Sequence, residues 1–174
     1  MKLLISLTLV FITLFSSSAT AGWDPDSKNE ARTAINEFKK ADPKLSRFFA
    51  KAYGYVVYPN IVKGAMGIGG AYGSGTVFQQ GRIIGNSSLS QLSFGFQLGG
   101  QAYREIIFFK DRQAMARFKK GNFELGAQIS AVAATYGASA NVDYSSGVAI
   151  FTMARGGLMY EASVGGQLLT FEAR

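Results

Sequence analysis

Residues 92–99 read Leu92-Ser93-Phe94-Gly95-Phe96-Gln97-Leu98-Gly99. A large apolar residue stands at every second position, with a small or polar one between. A period of two is the mark of a strand with one buried face, because successive side chains leave a strand on opposite sides. The reading predicts that Leu92, Phe94, Phe96 and Leu98 share the core face. The same alternation returns at Leu158, Tyr160, Ala162 and Val164. Gln80-Gly81, between Thr76–Phe78 and Arg82–Ile84, predicts a tight hairpin.

Outward from this stretch the glycine count stands out. Of 21 glycines, all but Gly22 fall within residues 54–166, inside or between the apparent strands. Glycine weakens a strand, so its repeated use predicts bulges, bends or close backbone approach. Gly-Gly steps recur loosely at Gly69-Gly70, Gly99-Gly100 and Gly165-Gly166 without regular spacing, which reads as shared architecture and not as a true repeat.

Before Gly54 the period is that of a helix. Asp24-Pro25-Asp26-Ser27 reads as a turn, with Ser27 and Glu30 spaced as a capping box. Ala31, Ala34, Ile35 and Phe38 then form one apolar stripe, predicting a helix over 27–40. Asp42-Pro43 restarts the pattern with Leu45, Phe48, Phe49 and Ala52, predicting a second helix over 43–53 closed by Gly54. A third is expected mid-chain, with Asp111 as cap, Ala114, Met115 and Phe118 on one face, and Gly121 as stop. The expected class is α+β: a curved antiparallel sheet or partly closed barrel with two N-terminal amphipathic helices and one mid-chain helix.

Residues 1–21 read as an address. Met1-Lys2 is basic, the thirteen residues Leu3–Phe15 are mostly apolar, and Ala19-Thr20-Ala21 is a cleavage site, the pattern of a secretory signal peptide. Thirteen helical residues rise only about 20 Å, too short for a bilayer. The expectation is an exported protein, periplasmic or secreted and not a lipoprotein. Its mature part comprises a helical segment (22–53) and a glycine-rich β domain (54–174) in one compact unit.

The chain of 174 residues contains no histidine and no cysteine. Those absences remove disulfides, Cys/His zinc sites, cysteine nucleophiles and histidine-based acid–base catalysis. The acids Glu105, Asp111, Glu124, Asp143 and Glu161 are scattered, with no pair spaced for general acid–base work. Lone strand carboxylates of this kind ordinarily form salt bridges or face water. Gly67-Ile68-Gly69-Gly70-Ala71-Tyr72 approaches a dinucleotide loop but has Tyr72 where a glycine is required, and no helix follows. No enzymatic activity, cofactor or metal is expected.

The formal charge is +7. Lys28, Arg32, Lys39, Lys40, Lys44, Arg47 and Lys51 crowd the first two helices, opposed by Glu30, Glu37 and Asp42. Lys28, Arg32 and Lys39 fall within about 40° on a helical wheel and border the apolar stripe. A basic edge beside an apolar stripe suits a membrane-surface helix. A secondary cluster, Lys110, Arg112, Arg117, Lys119 and Lys120, surrounds the middle helix. Tight attachment needs both clusters on one face, or insertion of Phe48 and Phe49. The competing reading is that the helices pack on the sheet and show an ordinary charged face to water. Nucleic acid is not expected, since no basic–aromatic recognition motif is present.

From Ala52 onward the order of elements resembles the SYLF lipid-binding domain, also called the actin-regulator domain. The stretches that carry the resemblance are Tyr55-Val56-Val57-Tyr58-Pro59, Lys63-Gly64-Ala65-Met66-Gly67-Ile68-Gly69-Gly70-Ala71-Tyr72-Gly73-Ser74-Gly75, Phe94-Gly95-Phe96-Gln97-Leu98-Gly99-Gly100-Gln101, Phe123-Glu124-Leu125-Gly126-Ala127 and Arg155-Gly156-Gly157-Leu158-Met159. Trp23-Asp24-Pro25 and the two helices resemble the short exported bacterial branch. The resemblance implies a non-catalytic module that binds anionic phospholipid, phosphoinositide-like, on membranes of the cell envelope. In fungi and animals it also implies actin binding, a partner that export argues against here. The alternatives are a structural envelope protein, including an eight-stranded outer-membrane barrel, and a protein–protein interaction module without lipid binding.

Overall fold

A computed structural model describes residues 25–66, 68–94, 99–155 and 164–174. The signal-peptide reading of residues 1–21 lies outside these, as do Phe96, Leu98 and the alternation at 158–162.

Helix α1 spans Pro25–Ala41. It starts two residues earlier than the sequence predicts, so Ser27 lies within the helix and not at its N-cap. Proline at a first helical position costs nothing, since its missing N–H would be unpaired there. The second predicted helix is divided into a 3-10 turn over Pro43–Leu45 and a short α2, Ser46–Lys51. Asp42 caps the turn as expected, accepting from the Lys44 amide at 3.1 Å. The helix stops at Lys51, however, and Gly54 is the first residue of a strand. Gly54 is needed for closeness: a Cβ there would stand 2.8 Å from the Phe78 carbonyl oxygen and 3.0 Å from the Met115 sulfur.

Four long strands follow: β1 (Gly54–Met66), β2 (Ile68–Gln79), β3 (Arg82–Phe94) and β4 (Gly99–Phe109). Helix α3 (Arg112–Lys119) comes next. It begins with Asp111 accepting from the Ala114 amide at 2.8 Å and is followed by Gly121 at φ 79°, as the sequence predicts. The remaining strands are short: β5 (Phe123–Glu124), β6 (Val132–Ala133), β7 (Val148–Ala154), β8 (Gln167–Leu169) and β9 (Glu172–Ala173). They join one curled sheet in the order β5-β8-β3-β2-β1-β4-β7-β6, with β9 also pairing with β3. Pairing is antiparallel apart from β6 with β7, so the sheet is mixed. The predicted hairpin is present: Gln80 and Gly81 both have positive φ, 49° and 77°, as a type I′ turn requires.

The curled sheet carries a core on each face. Its inner face packs Val56, Tyr58, Val77, Ile107, Phe109 and Ile150 against Met115 and Phe118 of α3. The outer face packs Val57, Phe78, Ile106, Phe108 and Phe151 against Ala31, Ala34 and Phe38 of α1 and Phe48 of α2. A bulge in β1 between Val57 and Asn60 shifts the register with β2, and β4 shows a matching shift. Beyond it Ile61 is buried and Val62 is exposed.

The helices do not reach the far part of β2 and β3, and there the sequence reading fails. Leu92 is 76% exposed, while Leu89 and Gln91 are buried. The apolar member of the alternation points outward at Leu92, on a face that no helix covers among the described residues.

Candidate functional site: a basic cleft at the hairpin end

Gly54 of β1 pairs with Gln79 of β2 on one side and Phe109 of β4 on the other. That register brings the end of α2, the Gln80-Gly81 turn and the start of α3 to one end of the sheet. A cleft of about 590 Å³ opens between them, lined by Lys51, Lys110 and Arg112, with Phe49, Tyr53 and Tyr55 as its aromatic wall. The Lys39 ammonium stands 4.6 Å from the centre of the Phe49 ring, so α1 contributes a fourth cation beside it. Asp111 is the acidic lining residue, and one of its oxygens is engaged in capping α3. Burial pushes the Tyr55 phenol up. The cleft presents cations beside aromatic surface, a chemistry that suits a phosphate or another anionic group.

The two sequence clusters therefore meet in part. Lys51 of the first lines the same cleft as Lys110 and Arg112 of the second, and Lys39 stands against the Phe49 ring. The rest are placed elsewhere. Arg32, Lys40 and Lys44 are exposed along α1 and the 3-10 turn, and Lys28 is half-buried. Arg47 is a structural strap: its Nη2 donates to the carbonyls of Ser139 at 2.7 Å and Val142 at 2.6 Å, with the guanidinium 4.7 Å above the Phe48 ring. Arg117 donates to the Ser146 carbonyl at 2.9 Å, and Lys119 lies 5.5 Å from the Phe171 ring. Lys120 is exposed just past α3.

The apolar stripe of α1 is not available to a membrane. Ala31, Ala34 and Phe38 are at most 1% exposed, and Phe48 is 3% exposed. Its hydrophobic face is core, so insertion of that stripe or of Phe48 is excluded by packing. Among the described residues no helix is long and apolar enough to cross a membrane.

A polar cluster that the sequence does not announce lies inside the half-barrel. Glu105 is fully buried, with Oε2 accepting from the Gln167 side-chain nitrogen at 3.2 Å. The same nitrogen is 3.4 Å from the Tyr103 hydroxyl, and Tyr58 shares a 2.6 Å hydrogen bond with Ser87. No cation pairs with Glu105 among the described residues, and its Oε1 has no hydrogen-bond partner there. Glu105 thus neither forms the salt bridge nor faces the water that a lone strand carboxylate suggests. Burial raises its pKa to about 8, with the Gln167 hydrogen bond only partly opposing the shift. Burial and the nearby Glu105 charge together raise the Tyr103 phenol well above its ordinary value.

Residues 90–174 match the family described as Las17-binding protein actin regulator (Ysc84). Over 155 residues, 82% of this chain, the sequence is 27% identical to beta cell expansion factor A from Aeromonas veronii. The matched region spans 58% of that protein's length. The stretches matched by the family include β4, α3 and the closing strands of the half-barrel. Residues 90–174 of this chain are therefore similar to the Ysc84 (SYLF) family domain.

Proposed function

We propose that the protein is a non-catalytic module that attaches electrostatically to anionic phospholipid surfaces in the cell envelope through the cleft of Lys51, Lys110 and Arg112. The observation that carries this reading is the convergence of cations from α2 and α3, far apart in sequence, beside one aromatic wall. The similarity of residues 90–174 to the SYLF family supports it, since that resemblance implies lipid contact. The buried α1 stripe makes the attachment one of charge, not of helix insertion. Export through residues 1–21 places the domain where envelope lipid is present; amino-terminal sequencing of the mature protein tests that step, with a start at Gly22 expected.

Each cation near an anionic surface contributes about 1 kcal/mol, so three give roughly 100-fold in partitioning. The test is co-sedimentation with phosphatidylglycerol vesicles and with phosphatidylcholine vesicles at low and high salt. Binding restricted to anionic vesicles, weakened by salt and reduced by more than about 100-fold in K51E/K110E/R112E, is the expected result. Equal pelleting with both vesicle types, or a triple variant that binds like the parent, overturns the reading. An unchanged thermal transition shows that the variant is folded.

A further inference from the structure

The outer face of β2, β3 and β8, at the margin of the cover that α1 gives the sheet, carries acidic and apolar side chains. Two clefts meet there at Tyr72, a residue 61% exposed. On one side lies a polar cleft of about 420 Å³ bounded by Glu30, Glu172 and Asn86. On the other lies an apolar groove of about 600 Å³, built by Val62, Leu92 and Leu168 with Glu124 at its margin. Strand register explains the continuity. Val62 pairs with Tyr72, Tyr72 with Ser90, Ser90 with Leu168 and Leu168 with Glu124, so one row across the sheet forms the boundary. Gly70, opposite Leu92, adds no side chain to the groove floor.

In a chain of net charge +7, no lysine or arginine lines either cleft among the described residues, while three glutamates do. Carboxylates repel a phosphate or sulfate. They attract an ammonium, which an exposed tyrosine face also attracts through its quadrupole. The apolar groove one side chain away accepts an alkyl chain and removes Val62, Leu92 and Leu168 from water. The whole pattern is that of a head-and-tail site.

We infer that this face binds a single small cationic amphiphile, its ammonium head against Tyr72, Glu30 and Glu172 and its alkyl tail along Val62, Leu92 and Leu168. The site is distinct from the basic cleft and selects the opposite head charge.

The test is calorimetric titration of the full chain with dodecyltrimethylammonium below its micellisation concentration. Dodecyl maltoside serves as a neutral head of equal tail length, and tetramethylammonium as a head without a tail. Saturable one-to-one binding of the cationic amphiphile is expected, at least 10-fold tighter than either comparison compound. E30Q/E172Q and Y72A should each weaken it by 10-fold or more, and L92S should lower it by a smaller factor. Because these residues are at the surface, all the variants should retain the parental thermal transition. The inference is overturned if the neutral amphiphile binds as tightly as the cationic one, or if E30Q/E172Q and Y72A leave the affinity unchanged.

Discussion

The Gln167 side-chain amide donates to the Glu105 carboxyl at 3.2 Å inside the half-barrel, and no positive charge accompanies it among the described residues. A single neutral donor does not offset the burial of a carboxylate, so Glu105 is protonated in the folded protein at neutral pH. In the unfolded chain it ionises near 4.5. Between those values the folded state holds the extra proton, and stability falls as pH rises from about 4.5 to about 8. E105Q should flatten that slope and melt above the parent at pH 8 and higher, by the equivalent of about a few kcal/mol. Melting curves from pH 5 to pH 9 check it; parallel slopes for parent and variant would remove the argument.

Asp42 has the opposite sign. Burial alone would raise its carboxyl, but hydrogen bonds from Ser139, Lys44 and Gly137 outweigh that effect and hold it below the usual carboxylate range. Its contribution is fully present above the unfolded value near 3.8 and is lost as pH falls through the lowered folded value. Asp42→Ala leaves the amides of Gly137, Ser139 and Lys44 without their acceptor and should cost about 3 kcal/mol. Asp42→Asn retains an acceptor oxygen and should cost less. Urea titrations of the two variants at pH 7 separate these outcomes.

Two glycines in neighbouring strands should respond differently to alanine. At Gly75 a Cβ would stand 2.6 Å from the Tyr58 ring and 2.9 Å from the Val57 carbonyl, and the backbone there cannot yield cheaply. Gly75→Ala should destabilise by about 1–3 kcal/mol. At Gly64 nothing lies within 4 Å of the same atom, so Gly64→Ala should stay within about 0.5 kcal/mol of the parent. Thermal melts of both variants test the pair.

Arg47 and Lys51 stand four residues apart, yet their roles divide. Arg47→Ala removes two hydrogen bonds to carbonyls and a ring contact, and should lower stability by about 2 kcal/mol. Vesicle binding, measured where the variant remains folded, should then change little. Lys51→Ala should leave the melting temperature in place and weaken binding to phosphatidylglycerol vesicles by about fivefold. Measuring both quantities on both variants checks the division.

What the sequence disclosed was local. The Gln80-Gly81 turn, the Asp111 cap and the Gly121 stop are set by neighbours a few residues away, and each is found where the spacing predicts. The α1 stripe was legible for the same reason, although its length was short by a turn's opening residues. The direction of Leu92, the burial of Glu105 and the meeting of Lys51 with Lys110 and Arg112 were not legible. Each depends on which strand lies beside which, and on where helices cover the sheet. The bulge after Val57 also restarts the inward–outward phase within β1, which an alternation count does not detect. Most of the class was readable, while the cleft required the register.

The seam between β3 and the last residues of the chain has one more implication. Leu89 to Gln91 pair with β8, Gly85 and Asn86 with β9, and the Arg174 amide donates to the Ile84 carbonyl at 3.0 Å. β3 therefore keeps an open edge until residues 167–174 have paired with it. Until then that edge can recruit a neighbouring copy in place of β8 and β9. Deletion of residues 167–174 leaves that edge open, and its cost is misassembly.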